Sequence, residues 1–316
     1  MSRIKSRVPL VLSAILFPVA FLVSPVPAAG VSIWDVTMVT PRVGWALNPT
    51  TQQVLRTTTD GRRWVPVGAP HPHVSIILLS AASASHAVLV GTPTTGGPVG
   101  WWVWSTETAG RTWITARIPR PGHGRAQIAG EDWPVTFSWL TPERGWMMTS
   151  LGSGSTESRR QLYTTTNGGR TWRFFDNLPG LGDQGVVFSG PTTGWMEWGG
   201  AYMAAPVLDE TVNGGQTWQP VALPRPPIVP APTRNLKTAY EPHGRGLPIF
   251  ATPQLGAVLT LYLEPADTYD VVYYTTDGGT HWQWVVVARL PEVGPDAAHE
   301  AFMAPARLQW HRMKTG

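Results

Sequence analysis

The chain has 316 residues, with 24 Lys+Arg against 20 Asp+Glu. Three of the basic residues (Arg3, Lys5 and Arg7) fall in the first 29 positions, which hold no acid, so the remainder carries 21 against 20 and bulk charge gives no ground for a nucleic-acid or anionic-membrane partner. Cysteine is absent, which excludes disulfides and thiolate metal sites, while 42% hydrophobic residues argue against disorder and 33 Gly, 31 Pro and 17 Trp suit the many turns and aromatic wedges of an all-β chain.

Met1 to Ala29 reads as an export signal. A basic front precedes an apolar run from Val8 to Val23, and Val26-Pro27-Ala28 or Pro27-Ala28-Ala29 supplies small residues for cleavage. The run is shorter than the roughly 20 residues of a spanning helix, and Pro9 and Pro18 interrupt it. The expectation is a mature chain starting near Ala29 or Gly30, one domain over 30–316, in the medium or the cell envelope. A membrane is involved only if this segment is retained.

Five repeating units follow. The first begins with an alternating strand, Ile33 to Val39, then Pro41-Arg42-Val43-Gly44-Trp45, and reaches Thr58 to Trp64, which reads as a shortened form of a later octet. The second has Ser83 to Ala87 as a degraded P-x-x-G turn and Thr106 to Trp113 as its octet, with Thr108 in place of an acid or amide. The third is complete: Val135 to Leu140, Pro142 to Trp146, and Thr165-Thr166-Asn167-Gly168-Gly169-Arg170-Thr171-Trp172. The fourth repeats both elements at Pro191 to Trp195 and Thr211 to Trp218, and the fifth at Pro253 to Ala257 and Thr275 to Trp282. Phe302 to Trp310 resembles the start of an incomplete sixth, with a capped helix over Asp296 to Ala304 as the other reading.

Each octet reads as a turn between strands. Asn167-Gly168, Asn213-Gly214 and Asp277-Gly278 are pairs that tolerate φ > 0, and the Asn, Asp and Thr side chains bond nearby backbone N–H groups. Strand, P-x-x-G turn, strand, variable loop, strand, octet, strand is a four-stranded meander. The octet tryptophans at 64, 113, 172, 218 and 282 lie 49, 59, 46 and 64 residues apart, which suits propeller blades of about 40–50 residues with insertions.

The octets resemble the Asp-box of bacterial neuraminidase-type repeats, S/T-x-D-x-G-x-T-W. The resemblance implies an all-β fold, a β-propeller of four-stranded blades with five recognisable Asp-box repeats and an incomplete sixth. The alternation of G-W strands with boxes is most similar to the photosystem II assembly-factor type of propeller. That implies a scaffold or assembly role with a protein partner.

Meander geometry puts the P-x-x-G and box turns on one face and the varied loops on the other, where binding sites concentrate. The binding residues expected on this long-loop face are Glu131, Asp132, Arg159, Tyr240, His243, Asp267 and Asp270, with Arg160, Glu241, Arg245 and Glu264 among further polar candidates. Arg225 to Gly246 is an insertion that no blade needs. The ligand is a protein or a glycan, and the residues call for no metal or cofactor.

The alternative is a secreted glycoside hydrolase or sialidase-like enzyme. It would pair Glu131 or Asp132 with Asp267 or Asp270 across a cleft. Arg117-Ile118-Pro119 copies the sialidase R-I-P motif but ends the strand after a box, where a connector belongs. Trp101, Trp102 and Trp104 form either a sugar-stacking platform or inter-blade core, and His71-Pro72-His73 lacks a third ligand at recognisable spacing.

Overall fold

A computed structural model describes residues 33–48, 50–68, 74–93, 101–118, 132–151, 159–178, 185–197, 208–229, 243–244, 246–263 and 267–291. These form five antiparallel sheets in chain order and no helix. Blade 1 is β1 (Trp34–Met38), β2 (Gly44–Asn48), β3 (Gln53–Thr57) and β4 (Val65–Pro66). Blade 2 is β5 (Val74–Ala81), β6 (Ala87–Pro93), β7 (Trp102–Thr106) and β8 (Ile114–Arg117). Blade 3 is β9 (Asp132–Trp139), β10 (Gly145–Leu151), β11 (Arg159–Thr165) and β12 (Arg173–Leu178). Blade 4 is β13 (Gly185–Phe188), β14 (Gly194–Glu197), β15 (Leu208–Thr211) and β16 (Gln219–Pro220). In blade 5 the first strand is split into β17 (His243–Gly244) and β18 (Ile249–Phe250), both paired with β19 (Gly256–Leu263), and β20 (Asp267–Thr275) and β21 (Gln283–Pro291) complete it. The described residues form a five-bladed β-propeller. The expected sixth unit and the export segment lie outside the described residues.

Among the described residues the core is four clusters, one in each seam between consecutive blades. Trp45, Leu47 and Val54 meet Leu79, Leu89 and Trp104 between blades 1 and 2. Val88, Val90 and Val103 meet Met147, Tyr163 and Trp172 between blades 2 and 3. Trp146, Met148 and Leu162 meet Val186, Phe188 and Met196 between blades 3 and 4. Trp195, Leu208 and Val229 meet Tyr262, Val271 and Trp282 between blades 4 and 5. Because strand side chains alternate, each of blades 2, 3 and 4 feeds one seam with each face.

The glycine of the P-x-x-G turn belongs to this packing. It stands opposite the last residue of the first strand: Met38 pairs with Gly44, Trp139 with Gly145, Phe188 with Gly194 and Phe250 with Gly256. A Cβ at Gly145 would come 2.5 Å from the Trp139 ring, and one at Gly194 2.7 Å from Phe188. In blade 2 the pair is Ala81 and Ala87, so when the glycine gains a methyl its partner shrinks. This register also moves the degraded turn by one residue from the expected Ser83 to Ala87. The N–H of Ala82 donates to His86 O as that of Val39 does to Val43 O, which makes Ala84 to Val88 the equivalent of Pro41 to Trp45.

The octet of blade 3 shows why its composition repeats. Thr165 Oγ1 accepts the Gly169 N–H at 3.0 Å and donates to Asn167 Oδ1 at 3.0 Å, while Asn167 Oδ1 accepts the Thr171 N–H at 3.0 Å. Thr211, Asn213, Gly215 and Thr217 repeat this in blade 4, and Thr275, Asp277, Gly279 and His281 in blade 5. Positive φ falls on the two glycines, Gly168 at 68° and Gly169 at 80°, rather than on an Asn-Gly pair.

The first octet is complete, not shortened. Thr57 Oγ1 accepts the Gly61 N–H and Thr59 Oγ1 the Arg63 N–H, as Thr106 and Thr108 do for Gly110 and Thr112. The octet therefore starts at Thr57, Thr59 takes the acid's place, and Asp60 sits at φ 57°, where blade 2 has Ala109 at 58° and blades 3 to 5 use glycine. A further bond ties the two turns of each blade together: Gly168 N–H donates to Glu143 O at 2.8 Å, and Asp60, Ala109, Gly214 and Gly278 do the same in theirs.

Candidate functional site

With both turns bonded to each other on one face, unit-specific chemistry is left to the strand ends on the other. Asp132 opens β9 and Arg159 opens β11, and both register with Leu151, so they stand in one row at the long-loop edge of blade 3. His243 opens β17 and registers with Leu261, which registers with Asp270, giving a second row across blade 5. Asp267 opens β20 at the same edge. Glu131, Tyr240, Glu241, Arg245 and Glu264 lie outside the described residues, as does the His71-Pro72-His73 turn.

The two acids of blade 5 diverge. Asp267 and Asp270 are three residues apart on one strand and so lie on opposite faces of it. Asp267 Oδ2 accepts from Arg289 Nη2 at 2.8 Å and from the Tyr269 hydroxyl at 3.4 Å. The Arg289 hydrogen bond holds its carboxyl below the usual carboxylate range. Arg289 also lies over the Tyr269 ring, at 5.7 Å. Asp267 is thus the anionic half of an ion pair at the blade edge.

The insertion expected to be dispensable is built into the fold at both ends. The Arg225 guanidinium lies 4.9 Å over the Tyr262 ring, and Pro224 O accepts the Tyr273 hydroxyl at 2.9 Å. Val229 is 3% exposed within the seam between blades 4 and 5, and His243–Gly244 is strand. Removing 226–245 would take away a core side chain and part of an inner strand. His243 is accordingly a strand residue, not a loop residue.

Other candidates resolve into structure. Arg117 lies 5.1 Å over the Trp102 ring and Ile118 is buried between blades 2 and 3, so the first two residues of the R-I-P segment are packed against the blades. Trp101 and Trp104 are buried, in different seams, which removes the stacking platform. Arg160, expected on a loop, is fully buried in β11 on the side facing blade 4, while buried Asp209 faces blade 3 from β15. Among the described residues no three His, Asp or Glu gather as a cation site.

Glu197 was missed by sequence reasoning. It ends β14, two residues after Trp195, and so points into the seam between blades 4 and 5. It is fully buried. Its Oε1 accepts the Gly246 N–H at 3.1 Å, and its Oε2 has no hydrogen-bond partner among the described residues. Burial pushes its carboxyl up to about 7, partly offset by the Gly246 bond. Gly246 lies in the break between β17 and β18 at φ 132°, and Gly185, opposite Glu197, has φ 122°. A Cβ on Gly185 would meet Thr136 of blade 3 and Leu247 of blade 5, so this acid sits where the inner strands of three blades converge. The repeat itself carried the signal: the equivalent residues are Leu47, Val90, Met148 and Leu259.

No family model matches this sequence, and no curated protein matches it. Among solved structures it is similar to the GH74 enzyme of Niastella koreensis, at 13% identity and TM-score 0.45, over 83% of this chain and 46% of that one. It is similar to YCF48 from Cyanidioschyzon merolae, at 16% identity and TM-score 0.37, over 83% and 87%. It is also similar to YCF48 bound to D1 peptide, at 13% identity and TM-score 0.40, over 80% and 82%. The chain spans less than half of the Niastella enzyme. At this level the likeness decides nothing about function, and the blade architecture rests on the strand pairing of the chain itself.

Proposed function

We propose that the chain is an exported, non-catalytic β-propeller scaffold of the Asp-box type that binds a protein partner through its long-loop face. The observation that carries this reading is the division of labour between the two faces. On one, the third octet residue of blades 3, 4 and 5 (Asn167, Asn213 and Asp277) is consumed by its own turn, and Glu107 of blade 2 is taken by Arg170 of blade 3. On the other, the strand ends differ from blade to blade, with Asp132 opening β9, Arg159 opening β11 and His243 opening β17, and Glu131 and Tyr240 lie in the adjoining segments of the sequence. The resemblance of the repeats to assembly-factor propellers supports the scaffold role. The ion pair of Asp267 with Arg289 counts against a glycosidase pair that uses this acid.

Capture of partners by the tagged protein in its own cells, run beside a glycan-cleavage panel, tests the reading. Recovery of one saturable protein partner with no glycan cleaved is the expected result. Cleavage that is lost in Asp132→Asn or Asp270→Asn would establish the hydrolase instead.

A further inference from the structure

We propose that the seam between blades 4 and 5 is a pH-responsive joint, closed while Glu197 is protonated and loosened at the Gly246 bulge when Glu197 ionises. The geometry carries this. A carboxyl removed from water favours its neutral form unless charge partners and hydrogen bonds compensate. Glu197 has one backbone N–H on one oxygen and, among the described residues, no partner on the other. Ionisation would leave a buried anion with a single donor, in a seam whose remaining cluster residues are Trp, Tyr, Leu and Val.

The bulge is the element able to give way. The first strand of blade 5 is paired only at His243–Gly244 and Ile249–Phe250, and Gly246 between them is held to blade 4 by the Glu197 bond. Loosening would reach the long-loop edge through His243, so the joint lies beneath the proposed binding face without depending on it.

Other titratable groups face the same seam and must be separated from Glu197. Glu210, two strand positions from Leu208, is also pushed up by burial. Tyr273 is raised by burial and by the Tyr262 hydroxyl and stays neutral across the range in question. Asp267 is lowered by Arg289 and stays ionised. Among the described residues Arg225, over Tyr262, and Arg289, over Tyr269, are the cations. On the inner strands the facing residues are Gly185, Gly246 and Leu247, which do not titrate.

The sign follows from linkage. The folded-state value of Glu197 lies above its ordinary one, so its contribution to closure is complete below about 4.5 and is lost as pH rises through about 7. Hydrogen exchange measured by mass spectrometry at pH 5.5 and 8.5, corrected for intrinsic rates, reads this out. In the wild type, protection of 246–250 should fall by roughly tenfold or more relative to 145–149 in blade 3. In Glu197→Gln, which keeps the shape without a titrating proton, the ratio should not change. Equal pH dependence in wild type and Glu197→Gln would overturn the proposal. Should that variant fail to fold, carbon-13 titration of the Glu carboxyls in the wild type decides: a resonance with a midpoint near 7 supports the joint, and ordinary midpoints throughout overturn it.

Discussion

The Trp146 ring of blade 3 stacks on the Phe188 ring of blade 4, with centroids 3.9 Å apart and planes 7° from parallel. Phe188 in turn covers Gly194, its cross-strand partner. Trp195 stands in the same relation to Phe250, at 5.5 Å and 21°, and Phe250 covers Gly256. One aromatic thus seals its own hairpin and offers its other side to the preceding blade. Phe188→Ala should cost about 3–5 kcal/mol, as for other large-to-small core changes. Gly194→Val should destabilise as well, because the added methyls need the volume Phe188 fills. Chemical denaturation of both variants checks this, and wild-type midpoints would show that the pair does not hold the seam.

The octets differ at one position in a way that pH exposes. Asp277 is lowered to about 2, first by the His281 backbone N–H and then by its ring. A folded value below the ordinary one means stability that is present above about pH 4 and lost as pH falls toward 2. Asp277→Asn should remove that component, melting below the wild type at pH 5 while keeping the turn, since Asn167 and Asn213 fill the same place. Melting curves of both proteins between pH 2 and 5 should converge at the acid end.

Arg160 and Asp209 enter the seam between blades 3 and 4 from opposite sides, beside Leu162 and Met196. Both are buried. Both charges share one largely apolar seam, so Arg160→Met or Asp209→Leu alone should each cost on the order of 3–5 kcal/mol. The double variant should recover much of that loss. Strict additivity would show that the two charges act independently.

Much of the fold was legible because a repeat shows its architecture at each copy. The octets and P-x-x-G turns gave five blades and their strand order. Thr57 escaped notice because the first octet was sought through its aspartate, and Asp60 holds the left-handed position rather than the acid's. The Ala81–Ala87 pair hid a turn that register reveals at once. The candidate site was legible only as a face. Asp132, Arg159, His243, Asp267 and Asp270 do fall at its edge, but nothing in one sequence says which strand ends converge across blades. Glu197 is not legible from the loops, because it occupies a strand position filled by Leu, Val or Met in the other four units.

The export segment makes a separate prediction. Protein recovered from the culture medium or cell envelope should begin near Ala29 or Gly30, as N-terminal sequencing will show. An intact Met1 would contradict cleavage.

The central claim is that binding resides on the long-loop face and not on the face of the octet turns. The direct measurement is the affinity of the captured partner for two variants with wild-type melting behaviour. One combines Asp132→Ala, Arg159→Ala and His243→Ala, and the other Arg62→Ala and Gln216→Ala. The account predicts binding weakened by about tenfold or more in the first, as for loss of central contacts, and unchanged within about twofold in the second. Binding lost in the second and kept in the first would place the partner on the octet face and contradict the account.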